Sequence, residues 1–71
     1  MEDLSKLVGE NIKLARRAKG LTQSDVAKIL FMTQQQYSRF ENGVFELNYS
    51  QIVKLCEILD ITPNEIFSFK L

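Results

Sequence analysis

Thr22-Gln-Ser-Asp25 and Thr33-Gln-Gln-Gln36 constrain this chain more than any other feature. Each sets a threonine three residues ahead of an acid or a glutamine, the pattern in which two side chains close the open N–H groups of a helix start. Between them Val26, Ala27, Ile29 and Leu30 form an apolar face at helical spacing. Only Phe31-Met32 is left to join the two helices. On the helix that follows, Tyr37 and Phe40 face the core, and Asn42-Gly43 stops it. A connection that short, with apolar residues on facing sides, forces a sharp crossing, so the spacing predicts a helix-turn-helix. Small Ala27 lets the second of these helices approach closely.

The flanks read as helices too. Leu4, Leu7, Val8, Ile12, Ala15 and Ala18 recur at three and four residues, predicting a first helix over about residues 4–19 that Gly20 ends. Val44-Phe-Glu-Leu-Asn-Tyr49 reads as a loop. Ser50 is the expected N-cap of a fourth helix carrying Ile52, Val53, Leu55, Cys56 and Leu59. Thr62-Pro-Asn-Glu65 is the most complete start signal, with proline at the first helical position, and opens a short fifth helix with Ile66, Phe67 and Phe69. The expectation is an all-α domain over residues 1–71, a compact set of five helices too short for a coiled coil or four-helix bundle.

Composition narrows the chemistry. The 71 residues contain no histidine, which removes imidazole catalysis and histidine metal ligands. A lone Cys56 excludes an internal disulfide and a cysteine zinc site. Cys56 itself reads as core. Asp25, Glu41, Glu46, Glu57, Asp60 and Glu65 lack metal-ligand spacing, and no nucleophile, base and oxyanion donors assemble. We therefore expect no metal, no cofactor and no enzyme activity. MEDLSKLVGE lacks the apolar core of a signal peptide, and no apolar run approaches the roughly 20 residues of a membrane span. A cytoplasmic protein without a membrane partner is expected. The net charge is zero, but residues 1–43 carry seven Lys/Arg against five Asp/Glu and residues 44–71 carry two against four. The front half suits a polyanion better than the back half.

The segment LTQSDVAKILFMTQQQYSRFENG, residues 21–43, resembles the helix-turn-helix of Cro/CI-type regulators of phages and bacteria. The marks are LTQ-x-x-x-A opening the first helix, a threonine capping the second and E-N-G closing it. LCEILDITPNEIF is similar to the family's closing motif, so the resemblance spans about residues 10–68. It implies a lambda-repressor-like DNA-binding domain, acting as a dimeric repressor on double-stranded DNA with a palindromic operator. It assigns Gln34, Gln35 and Arg39 to base edges in the major groove. It assigns Gln23 to a phosphate, and Thr33, Ser38, Asn42, Asn48 and Tyr49 are the further expected phosphate contacts. It pairs Arg16 with Glu41 as a structural ion pair. A homodimer is the family's usual state, and Phe67, Phe69 and Leu71 are the expected interface.

The side-chain chemistry agrees. A glutamine amide matches adenine N6 and N7, an arginine matches guanine O6 and N7, and each good bidentate contact discriminates by about 1–3 kcal/mol. Gln36, at the third helical position, is expected to cap rather than read. Lys13, Arg17, Lys19 and Lys28 read as a solvated face. The chain departs from the family pattern at Phe31, where glycine is usual, and in the loop after Gly43, which is usually basic and here has no cation. For Phe31, either the turn differs locally or packing of the ring offsets the strain. The second functional reading is a protein-interaction module, such as an antitoxin or partner-recruiting subunit, binding through the loop and the apolar tail.

Overall fold

Local hydrogen bonds at the helix starts set the architecture. The computed structural model describes residues 3–68. Among them five α-helices follow in order: α1 (Leu4–Ala18), α2 (Gln23–Ile29), α3 (Gln34–Glu41), α4 (Tyr49–Leu59) and α5 (Pro63–Phe67). Asp3 caps α1 by accepting from the Ser5 N–H. The other four starts are reciprocal boxes: Thr22 with Asp25, Thr33 with Gln36, Asn48 with Gln51 and Thr62 with Glu65. In α3 the Gln36 N–H donates to Thr33 Oγ1 at 3.1 Å and the Thr33 N–H to Gln36 Oε1 at 2.8 Å.

The fourth start corrects the sequence expectation. Asn48, not Ser50, is the N-cap, because Asn48 and Gln51 satisfy each other's backbone N–H groups. Ser50 falls inside the first turn, and the loop ends one residue earlier. The connection between α2 and α3 is also longer than Phe31-Met32, since Leu30 and Thr33 serve as caps at its two ends.

The helices close around Ile12, Val26, Tyr37, Leu55, Leu59 and Ile66, all fully buried, with Val8 and Ala27 beside them. α1 is the central strut, touching α3, α4 and α5, while α2 packs on α3. Asn11 fastens α1 to the end of α5, donating at 2.8 Å to both the Ile66 carbonyl and the Ser68 hydroxyl. A Cβ on Gly9 would lie within 3.0 Å of the Phe40 and Glu41 carbonyl oxygens, so α1 and the end of α3 can approach this closely only at a glycine. Four expected core positions are instead exposed: Leu4, Ala18, Ile29 and Val53. Leu4 and Ala18 stand at the two ends of α1 and line open grooves beside α4 and α5 rather than the closed core. Ile29 lies in the last turn of α2 and faces outward.

Helix α3 ends in a left-handed closure. Gly43 has φ +76°, its N–H reaches the Phe40 carbonyl, and the Val44 N–H reaches Arg39. The same pattern ends α2, with Phe31 N–H on Lys28 and Met32 N–H on Ala27, but the left-handed residue there is Phe31 at φ +57°. Neither expected escape applies. The turn keeps the ordinary glycine geometry, and the Phe31 ring is 94% exposed, so no packing offsets the strain. A non-glycine left-handed residue costs about 1–2 kcal/mol. Phe31→Gly is therefore expected to stabilise the fold by about 0.5–1 kcal/mol, the relief being reduced by the extra freedom of the unfolded glycine chain. Urea denaturation checks this; destabilisation would show that the ring contributes contacts. Gly9→Ala is expected to destabilise strongly, because backbone atoms rather than a flexible side chain block the new methyl.

Candidate nucleic-acid interface

Arg16 and Glu41 meet at the crossing of α1 and α3. Arg16 Nε donates to Glu41 Oε2 at 2.6 Å, Nη2 donates to Oε1 at 3.2 Å, and Nη1 donates to the Leu21 carbonyl at 2.8 Å. The two side chains are 9% and 0% exposed. Burial acts to raise the Glu41 pKa, but the hydrogen bond from Arg16, helped by the nearby Tyr37 hydroxyl and the Gln23 amide, outweighs it and holds the carboxyl below its usual range. The hydrogen bond to Glu41 likewise raises the Arg16 pKa, so the pair is fully charged at neutral pH. The Tyr37 hydroxyl is buried in the same place and has no hydrogen-bond partner of good geometry. Burial drives its pKa upward and keeps it neutral.

Glu41 also orders the surface. Gln23 Nε2 donates to Glu41 Oε1 at 3.0 Å, and Gln34 Nε2 donates to Gln23 Oε1 at 2.9 Å. An ionised carboxylate only accepts, so Gln23 must turn its amino end inward. Its carbonyl then faces Gln34, which must present its own amino end in turn. The buried charge thereby fixes the amide orientation of an exposed residue on the first turn of α3. Gln34 retains its carbonyl oxygen and one N–H for an outside partner. This is the donor–acceptor pair that matches an adenine edge in the major groove.

The other expected contacts lie along α3 and its caps and at the start of α4. Gln35 is exposed beside Gln34, and Arg39 is exposed one turn further along α3. Thr33 and Asn48 are exposed helix caps whose side-chain oxygens already accept backbone N–H bonds. Ser38 is partly buried and accepts from Asn42 Nδ2 at 3.4 Å. Tyr49, 88% exposed, is the first residue of α4. Phe67 is partly buried and lines a groove of about 210 Å³ with Leu4, Val8, Phe40, Phe45 and Ile52. Phe69 and Leu71 lie outside the described residues. Cys56 is half-buried against the core, where burial pushes its thiol pKa up, which suits an inert position.

Two contributors went unread in the sequence. Asn11 could be flagged only as a polar residue on a helix facing no known partner. Phe45 lies in a loop without periodicity, yet its ring packs under Arg39. Gly9 did leave a signal, a lone glycine within a helical pattern, which marks a close backbone approach.

Comparison with known proteins gives this arrangement a family. A helix-turn-helix domain model matches residues 9–70. The chain is 34% identical over 56 residues to the uncharacterized HTH-type transcriptional regulator YqaE of Bacillus subtilis, covering 79% of this chain and 48% of that protein. It is 30% identical over 60 residues to the antitoxin PezA of Streptococcus pneumoniae, covering 84% of this chain and 38% of that protein. Among solved structures it superposes on the restriction-modification controller protein C.AhdI of Aeromonas hydrophila with a TM-score of 0.78 and 34% identity, covering 92% of this chain and 93% of that one. The chain belongs to the helix-turn-helix family of Cro/CI-like transcriptional regulators. It spans about half the length of YqaE and less of PezA.

The buried pair sets an acid dependence. Glu41 has a folded pKa below the value of about 4.3 it takes in an unfolded chain. Its contribution is therefore complete above that value and is lost as pH falls through the depressed folded pKa. Asp25, whose pKa is lowered by its hydrogen bond to the Thr22 backbone, acts in the same direction. Glu41→Gln is expected to cost about 3–5 kcal/mol at pH 7, by leaving Arg16 buried without its charge partner, and to flatten part of the acid limb. Urea melts from pH 7 down to about pH 3 test both effects. An unchanged acid limb would remove Glu41 from the account. Tyr37→Phe is expected to change stability by less than about 1 kcal/mol, since the buried hydroxyl it deletes makes no hydrogen bond of good geometry and only assists the Glu41 charge.

Proposed function

We propose that this chain is a sequence-specific, double-stranded-DNA-binding transcriptional repressor. It reads the major groove with the first turns of α3 and acts from the cytoplasm as a homodimer on a palindromic operator. The observation that carries the reading is the run of hydrogen bonds from Arg16 through Glu41 and Gln23 to Gln34. It prepares an exposed amide for a base edge and holds it there before any ligand arrives. Gln34 and Gln35 are the base readers, with Arg39 one turn on. Gln23, Thr33, Ser38, Asn42, Asn48 and Tyr49 lie on the elements that would follow the phosphate backbone, and the open N–H groups of helix starts favour anions there. Phe67, Phe69 and Leu71 are assigned to the contact with a second copy.

A second reading is a protein-interaction module. It is favoured by the similarity to PezA, an antitoxin, and by the segment 44–49, the loop and the first residue of α4, which has no cation and leaves Val44, Phe45 and Tyr49 exposed.

Selection from random-sequence duplexes separates the two. The wild-type chain is expected to enrich palindromes. Gln34→Ala and Gln35→Ala are each expected to lose about 1–3 kcal/mol of discrimination at particular positions while the fold is retained by circular dichroism. Failure to enrich any sequence at low salt, where electrostatic attraction is greatest, would favour the interaction module instead.

A further inference from the structure

Arg39 is the only cation in α3, and its guanidinium lies over an aromatic ring. The guanidinium carbon lies 5.6 Å from the centroid of the Phe45 ring. That ring stands edge-on to Phe40, with centroids 6.4 Å apart and planes at 61°. The backbone closes the same circuit: the Val44 and Phe45 N–H groups both donate to the Arg39 carbonyl, at 2.9 and 3.3 Å. Phe45 is thus tied to the main chain of the residue whose side chain it carries, and braced by a second ring. It is also 50% exposed, so burial alone does not explain its position.

We propose that Phe45 is a specificity-determining positioning residue, presetting the Arg39 guanidinium for one base pair of each half-site. This rests on the DNA reading above and adds to it a residue from the loop. An aromatic face binds the flat of a guanidinium and leaves its N–H edge directed outward. That edge is the part that engages guanine O6 and N7. A long side chain on an exposed helix face otherwise loses much rotamer freedom when it binds, and a ring that restricts it beforehand lessens that loss. The cation-free loop acquires a role in this way. Without lysine or arginine it releases no counterions from DNA. Its contribution is the platform under Arg39.

The test is duplex selection with the full chain and four variants, with sedimentation of each sample. Arg39→Ala locates the base pair that Arg39 reads, where the wild type is expected to prefer one base about tenfold or more. Phe45→Leu, similar in volume but without a ring, is expected to lower that preference about two- to fivefold and leave the rest of the motif unchanged. Phe45→Tyr restores it, and Phe45→Leu adds nothing at that position when Arg39 is already alanine. An unchanged motif in Phe45→Leu overturns the inference. So does an even loss of affinity at all positions, as a fold or dimer defect produces, or a motif that Arg39→Ala leaves intact. If the wild type enriches no sequence, the DNA reading itself fails and this inference goes with it.

Discussion

Arg16 and Glu41 come from helices whose contact they define. The guanidinium uses its forked edge on the carboxylate of α3 and its remaining Nη1 on the Leu21 carbonyl just before α2. The carboxylate then takes a third donor from Gln23 on α2 itself. One buried ion pair therefore relates three helices at once. Its net contribution to stability is modest in general, because desolvating two charges offsets most of their attraction, and an apolar pair of similar volume often does as well. What an apolar pair cannot supply is direction. Leucine against leucine tolerates rotation of α3 about its axis; a forked guanidinium on a carboxylate does not. The pair fixes which side of α3 faces outward, and so which residues can meet a ligand.

From that constraint the surface differentiates. Gln34 and Gln35 are neighbours of the same chemistry, both exposed. Gln34 has its amide orientation dictated from within by the carboxylate through Gln23, whereas Gln36 turns back to its own helix start. Arg39 is directed from the other side, by a ring in the loop. Helix α3 thus carries one amide set by a charge beneath it and one guanidinium set by an aromatic beside it. Preorganisation of this kind reduces the ordering cost of binding, which matters in a chain whose formal charge is zero and whose long-range attraction to a polyanion is correspondingly weak.

Much of the fold was legible because its determinants are local. The boxes at Thr22, Thr33 and Thr62 are patterns four residues long, and the buried face of α1 repeats every three to four residues. The fourth start was misplaced for a local reason as well: Asn48 and Ser50 are both good caps, and only the answering Gln51 amide distinguishes them. The exposure of Ile29 and Leu4 was not legible, since helical spacing marks a face without saying how far along the helix its partners extend. The site followed a similar division. Arg16 with Glu41 was available through family resemblance alone, because nothing in a span of 25 residues announces a contact. The bond from Gln34 to Gln23 and the seat of Arg39 on Phe45 depend on how the α2–α3 crossing and the α3–α4 loop are folded, which no short pattern encodes.

Phe31 and Gly43 show where the family pattern can change and where it cannot. Both take left-handed backbone at a helix end, with the same pair of closing hydrogen bonds. At Gly43 a Cβ would run into the Lys6 backbone, so a side chain there would meet conformational strain and a collision with α1 together. At residue 31 the side chain points into solvent, and strain is the sole penalty. About 1–2 kcal/mol is a cost that a domain with several reciprocal caps and a fully buried core can absorb. The turn between α2 and α3 keeps its geometry with phenylalanine because that geometry is imposed from outside the turn, by Val26 and Ala27 packed against Tyr37 and by Glu41 bonded to both Arg16 and Gln23. Glycine makes such a turn easier to form, but the crossing helices determine its shape.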